Sequence, residues 1–176
     1  MQPFASVDEA WAALEAQRGM NDGEPVDLWQ HALQTAEGLE QQGADDELVA
    51  AGLLHDLGDG RVSEAAHAGW AAALVEPLFG PRVAALVRNH AEAKRYLCAT
   101  DPSYWARLSP TSRRTLIAQG GVMTAAEAGA FGRQPWAHDA TWLRRCDDAG
   151  KRVDHEVAQP ERFRMVLERV AAARHQ

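Results

Sequence analysis

The chain has 176 residues, 46% of them hydrophobic, which is enough to bury a sizeable core and too many for a disordered chain. Its formal net charge of −7 argues against a nucleic-acid partner, because a phosphate backbone requires a basic face. No apolar run is long enough to span a bilayer. Met1-Gln2-Pro3-Phe4 lacks a basic-then-apolar signal pattern, so a cytoplasmic protein is expected. Two cysteines, Cys98 and Cys146, are too few for a disulfide framework or a cysteine zinc site and read as semi-buried thiols.

Almost every segment reads as helix. Ser6 or Asp8 caps a first helix that reaches Arg18, with Ala10, Trp11 and Leu14 on one side. Gly19 to Pro25 is a loop by its Gly, Asn, Asp and Pro content. A second helix runs from about Val26 to Gln42 and stops at Gly43. The third starts at Asp45-Asp46, whose carboxylates suit a helix N-terminus, and ends at Gly58. After a connection over Asp59 to Ser63, a fourth helix covers Glu64 to Phe79 and halts at Gly80-Pro81. A fifth spans Arg82 to Thr100, and Asp101-Pro102-Ser103 opens a short aromatic piece with Tyr104 and Trp105. Ser109-Pro110 is an N-cap followed by proline at the first helical position, for a helix carrying Thr111 to Gln119. Thr124 with Glu127 has capping-box spacing; further helices cover Trp136 to Ala149 and Pro160 to Arg174. With no alternating strand pattern, repeat or linker, the expectation is one all-α domain of roughly eight or nine helices over residues 1–176. Its parts are an N-terminal helix at about 6–18, a core at about 26–150 and a C-terminal helix at about 160–174.

Against this apolar background a few polar residues stand out. In Leu53-Leu54-His55-Asp56-Leu57-Gly58 a histidine and an aspartate sit side by side in an otherwise apolar helix. Core rarely holds such a pair unless both are hydrogen-bonded or bound to something. His31, His67 and His90 also fall within helices among small or apolar neighbours, and Asp147 lies in Leu143-Arg144-Arg145-Cys146-Asp147-Asp148. Any one of these histidines, taken singly, reads most simply as a satisfied core or surface residue. Together with Asp56 they fit side chains of packed helices pointing at one interior point, and imidazole with carboxylate suits Fe, Mn or Zn. His138, His155 and His175 have no place in that set, and His155 and His175 read as solvent-facing.

A second group suits an oxyanion. Lys94 follows His90 by one helical turn, and Ser112, Thr115 and Gln119 share one helix face. Arg144, one turn before Asp147, is expected near the same pocket, whereas Arg113 and Arg114 read as a solvated face. Hydroxyls, an amide and an ammonium are groups that hold a phosphate-like ligand.

The order His31 … His55-Asp56 … Asp147 resembles the HD superfamily of all-helical metalloproteins. Gln30 to Gln34, Leu53 to Gly58, Asn89 to Leu97 and Leu108 to Gly121 look like the PhnZ-type HD oxygenases in particular, and the likeness runs from about Asn21 to Arg164. The His-Asp motif is shared by many HD phosphohydrolases. The run from His90 through Lys94 to Gln119-Gly120-Gly121 is far more specific. The resemblance implies one metal held by His31, His55, Asp56 and Asp147, and a second by His67 and His90 with Asp56 as the bridge. It implies two iron ions (Fe2+/Fe3+), O2 as co-substrate, and cleavage of the carbon–phosphorus bond of a 1-hydroxyphosphonate with release of phosphate. Lys94, Ser112, Thr115 and Gln119 would hold the phosphonate. The loop before His31 departs from the pattern, since Asn21 stands where the family has a tyrosine that can occupy an iron. Glu24 stands at the position of a glutamate that pairs with a cationic substrate, so an amino- or trimethylammonio-substituted phosphonate is expected. Asp59 replaces the His or Lys of many relatives. The alternatives are an HD phosphohydrolase acting on a phosphomonoester or nucleotide, and a regulatory module that senses a phosphorylated ligand.

Overall fold

The structure is a computed structural model that describes residues 2–174. Among the described residues there are ten helices and no strand, against the roughly eight or nine expected. The difference includes a four-residue helical turn, Tyr104–Arg107, in the aromatic piece. In chain order the helices are α1 (Val7–Glu15), α2 (Leu28–Gln41), α3 (Asp46–Leu54), α4 (His67–Phe79), α5 (Pro81–Thr100), α6 (Tyr104–Arg107), α7 (Pro110–Ala118), α8 (Ala125–Gly132), α9 (Ala137–Ala149) and α10 (Glu161–Ala173). Among the described residues no helix is long and apolar enough to cross a membrane.

Local chemistry sets most of the starts. The side chains of Ser6, Asp27, Asp45 and Ser109 each accept a backbone N–H of the first turn, and Thr124 with Glu127 forms the full capping box. Gly80, at φ 98°, turns the chain into Pro81 at the start of α5.

α3 is the central helix. Every residue from Leu48 to Leu54 is buried, and it packs against α2, α5, α9 and α10. A helix apolar on all sides is stable only when enclosed in this way. It is shorter than the sequence pattern suggests, because it stops at Leu54 and leaves His55 as its C-cap and Asp56 on the following turn. That turn is pinned by Gly58, where an added Cβ would lie 2.4 Å from the His67 carbonyl oxygen. The backbone after the His-Asp pair therefore lies directly against the first residue of α4.

α5 packs along both α4 and α9, and α2 lies on α9. A second apolar cluster of Leu97, Tyr104, Leu108 and Leu116 seats α6 and α7 against the end of α5. Arg95 fastens the other end of α7, donating from Nε to the Gly121 carbonyl at 2.9 Å and pairing with Glu127 at 3.1 Å. These contacts fix the α7 hydroxyl face opposite Lys94.

Candidate metal centre and anion pocket

Four helices or helix ends deliver four histidines to one point. His31 comes from α2, His55 from the end of α3, His67 from the start of α4 and His90 from α5. All four are buried, at 0–5% exposure. Their Nδ1 atoms lie 2.9, 2.8, 2.6 and 2.7 Å from the carbonyl oxygens of Gly150, Gly52, Glu64 and Val87 respectively. A carbonyl oxygen only accepts, so each Nδ1 carries a proton and each Nε2 is turned to the interior.

Those Nε2 atoms surround Asp56. Its Oδ2 is 3.3 Å from His31 and 3.0 Å from His55, while its Oδ1 is 3.4 Å from His90 and 3.7 Å from His67. Asp147 closes the first side, with Oδ1 at 3.4 Å from His31 and Oδ2 at 3.7 Å from His55. Two clusters thus share one carboxylate: His31, His55 and Asp56, joined by Asp147, and Asp56, His67 and His90.

The donor set fits metal ions. Two donors bound to one ion at about 2.1 Å and at right angles lie about 3.0 Å apart, close to the separations seen. The buried His55 Nε2 has no hydrogen-bond partner among the described residues. His67 Nε2 and His90 Nε2 stand 3.0 Å apart, each with its proton committed at Nδ1, which is tolerable only with a cation or shared proton between them. Burial, with the charges of neighbouring histidines adding to it, holds His90 well below the usual imidazole range and so neutral, as a ligand must be. Burial opposes charge on His31 too, but the Asp147 and Asp56 carboxylates outweigh it and lift His31 to about 10, so without an ion His31 holds a proton that a bound metal would displace. Burial would raise Asp56, yet the attraction of His55 and His31 holds it well below the carboxylate range. For Asp147, Arg144 and His31 overcome burial in the same direction.

Beside this cluster the same cavity is lined by Lys94, Ser112, Thr115, Gln119 and Arg144. Lys94 is 2% exposed, donates from Nζ to Thr115 Oγ1 at 2.6 Å, and is pushed down to about 7 by burial and by the charge of Arg144. Arg144 lies 2.7 Å from Asp147 Oδ2 and donates to Ser112 Oγ at 3.4 Å and to the Tyr104 hydroxyl at 3.1 Å. Gln119 Oε1 is buried without a partner among the described residues. All six residues proposed as metal ligands except His55 line this cavity, and His55 lies immediately behind Asp56.

The loop before α2 places its two singled-out residues differently. Asn21 does not line the cavity. Its Nδ2 donates to the Glu24 and Val26 carbonyls at 2.7 and 3.3 Å and its Oδ1 accepts the Gly23 N–H at 2.7 Å, so it knits the loop together. Glu24 does line the cavity, but its Oε1 already accepts from Lys151 Nζ at 3.0 Å and Ser109 Oγ at 2.5 Å. Lys151 is absent from the sequence reading. It follows Asp147 by four residues, the one signal that points to it, and it also donates to Ser112 Oγ at 3.2 Å. Asp148 and Tyr104, which pair with each other and with Arg144, were likewise not singled out. His155 is a correction: it is half-buried and paired with the buried Glu37, because the loop after α9 folds back over α2. His138 is exposed, and His175 lies outside the described residues.

An all-helical bundle with a His-Asp pair at its centre and histidines from flanking helices defines a class, and residues 28–119 match the HD domain family model. The chain belongs to the HD domain family. It is 37% identical over 158 residues to 1-hydroxy-2-(trimethylamino)ethylphosphonate dioxygenase (glycine-betaine-forming) of Leisingera caerulea, covering 84% of this chain and 81% of that protein. It is also 37% identical over 139 residues to hydroxymethylphosphonate dioxygenase of Gimesia maris, covering 73% and 69%.

Proposed function

We propose that the protein is a non-haem di-iron oxygenase that uses O2 to cleave the carbon–phosphorus bond of a 1-hydroxyphosphonate and release phosphate. The observation that carries this reading is the convergence of four Nδ1-anchored histidines on both oxygens of Asp56, beside the pocket of Lys94, Arg144 and the α7 hydroxyls. Its support from relatives is the 37% identity to two phosphonate dioxygenases.

In this reading His31, His55, Asp56 and Asp147 hold one ion, and His67 and His90 hold the second with Asp56 as the bridge. The bridging anion offsets repulsion between two cations. Bound there, iron would supply Lewis acidity and, unlike zinc, one-electron redox capacity toward O2. The balance is one hydroxyphosphonate plus one O2 giving a carboxylate and phosphate, with four electrons passing from substrate to O2. The chain's own side chains bind and orient. Lys94 and Arg144 neutralise the phosphonate charge, and Ser112, Thr115 and Gln119 offer it hydrogen bonds. Those fixed donors aim the hydroxyl-bearing carbon at the metal centre and receive the departing phosphate. The low exposure of His90 and Lys94, 2% each, keeps bulk water from the reacting carbon. A cationic substituent, the expectation from Glu24, is accommodated only by competing with Lys151 for that carboxylate. The cytoplasm is the compartment that suits this catabolic role.

The reading is tested by incubating the iron-loaded protein with hydroxymethylphosphonate and with the trimethylammonio substrate, in air and under argon, and assaying phosphate. Release in air alone is expected. Release from phosphomonoesters under argon, with none from either phosphonate, would establish the hydrolase instead. Tight ligand binding without turnover would establish the sensor.

A further inference from the structure

Arg144 joins the two halves of the site. It is buried on α9, and its Nη1 lies 2.7 Å from Oδ2 of Asp147, on the side of the metal cluster. Its Nη2 donates at 3.4 Å to Ser112 Oγ, one of the hydroxyls of the anion pocket. Its remaining partners are Tyr104 and Asp148. Among the described residues these two stand outside the lining of the cavity around the metal cluster.

Tyr104 and Asp148 form a clamp on the guanidinium. Arg144 Nε donates to the Tyr104 hydroxyl at 3.1 Å, and Arg144 Nη2 pairs with Asp148 Oδ1. The Tyr104 hydroxyl donates its own proton to Asp148 Oδ2. A hydroxyl has one proton, so giving it to Asp148 leaves the lone pairs for Arg144. Asp148 therefore orients Tyr104, and it follows Arg144 by four residues on the same face of α9. It also keeps a carboxylate beside the buried guanidinium when Asp147 is given over to a metal. Tyr104 is 3% exposed, and its ring lies with Leu97, Leu108 and Leu116 in the apolar cluster that seats α6 and α7. The hydroxyl is thus held by the same packing that places the α7 hydroxyl face. A planar guanidinium fixed at Nε and Nη2 has its Nη1 direction fixed as well.

We infer that Tyr104 is a positioning residue for the anion pocket: its hydroxyl, oriented by Asp148, holds the Arg144 guanidinium where it meets Ser112 and the phosphonate. The inference rests on the anion pocket of the proposed function and extends it to a residue that acts through Arg144. Without the hydroxyl, Arg144 keeps its charge and its carboxylate partners but loses the contact that fixes Nε. The cost then falls on anion binding, which depends on where the N–H groups point, more than on the chemistry at the metals.

The test is anion binding, read with and without turnover. Wild type, Tyr104→Phe, Arg144→Lys and the double variant are loaded with iron, freed of unbound metal, and compared by metal per chain and far-UV circular dichroism. Titration with inorganic phosphate under argon gives Kd, and phosphate release from hydroxymethylphosphonate in air gives KM and kcat. Tyr104→Phe keeps the ring in its apolar cluster, so wild-type folding and metal content are expected. Its Kd and KM are expected to rise together by about three- to tenfold, the loss of one hydrogen bond, with kcat changed by less than about twofold. Arg144→Lys keeps the charge and removes the Nε donor, so adding Tyr104→Phe to it is expected to change Kd by less than about twofold. Equal Kd and KM in wild type and Tyr104→Phe overturn the inference. So does a Tyr104→Phe effect that persists in full on the Arg144→Lys background, or a loss of helical signal in Tyr104→Phe, which would make the hydroxyl a determinant of the fold. A wild type that binds phosphate but releases none from the phosphonate in air overturns the oxygenase reading, and the Kd comparison still decides the role of Tyr104.

Discussion

Lys94 gives the sharpest handle on the anion pocket. It is 2% exposed, within 2.6 Å of Thr115 Oγ1, and carried down to about 7 chiefly by burial, with Arg144 adding to the shift. Only its protonated form attracts a phosphonate dianion. The pH dependence of kcat/KM reports the free enzyme. It is therefore expected to be level below about pH 7 and to fall as Lys94 loses its proton above it. A bound dianion favours the ammonium, so kcat alone is expected to hold to higher pH. A hydrogen bond from a charged donor is worth about 1.5–3 kcal/mol, which corresponds to a factor of about 10–150. Lys94→Met is expected to lower kcat/KM at pH 6 by about that factor, mainly through KM, and to abolish the alkaline limb. Lys94→Arg, whose charge cannot titrate in this range, is expected to lose the limb while keeping part of the activity. The assay is initial-rate phosphate release from hydroxymethylphosphonate between pH 5.5 and 9. If Lys94→Met retained both the wild-type KM and the limb near pH 7, Lys94 would have no part in holding the phosphonate.

Other substitutions probe other parts of the site. Asp56→Ala is expected to lose both metals by elemental analysis and all turnover, with its far-UV circular dichroism close to wild type, since α2, α3, α5 and α9 carry their own apolar contacts; retention of both ions would remove Asp56 as the bridge. Lys151→Met frees the Glu24 carboxylate, so the ratio of kcat/KM for the trimethylammonio substrate over hydroxymethylphosphonate is expected to rise by at least tenfold, and an unchanged ratio would separate Glu24 from recognition of the substituent. Gly58→Ala places a Cβ 2.4 Å from the His67 carbonyl oxygen; overpacking of this kind costs about 1–3 kcal/mol, and a lowered melting temperature with weakened binding of the second metal is the expected outcome.

Much of this architecture can be read from the chain because its signals are local. Ser109-Pro110, Asp45 and the Thr124–Glu127 box announce helix starts by chemistry within one turn, and all three lie where expected. The histidines and Asp56 are conspicuous because polar groups in apolar helices need a partner. What is not local is harder to see. Lys151 meets Glu24 across 127 positions of sequence, and His155 meets Glu37 across 118. Both residues lie in the loop after α9, where no periodicity fixes the side-chain direction, so their pairing is a product of how that loop closes over α2. The apolar pattern carries α3 as far as Gly58, whereas the chain leaves the helix at His55. The apolar residue beyond that point, Leu57, is buried by the turn's packing instead of by a helical face. Asn21 illustrates the same limit: its identity marks a departure from the family's tyrosine, and its three hydrogen bonds within the loop depend on how that loop closes.

The central claim is that Asp56 joins two metals in a centre that oxidises a phosphonate. Simultaneous recording of O2 uptake with an oxygen electrode and of phosphate release, on iron-loaded protein supplied with hydroxymethylphosphonate, tests it most directly. One O2 consumed for each phosphate released is expected, with neither signal in Asp56→Ala. Phosphate release without O2 uptake would contradict it.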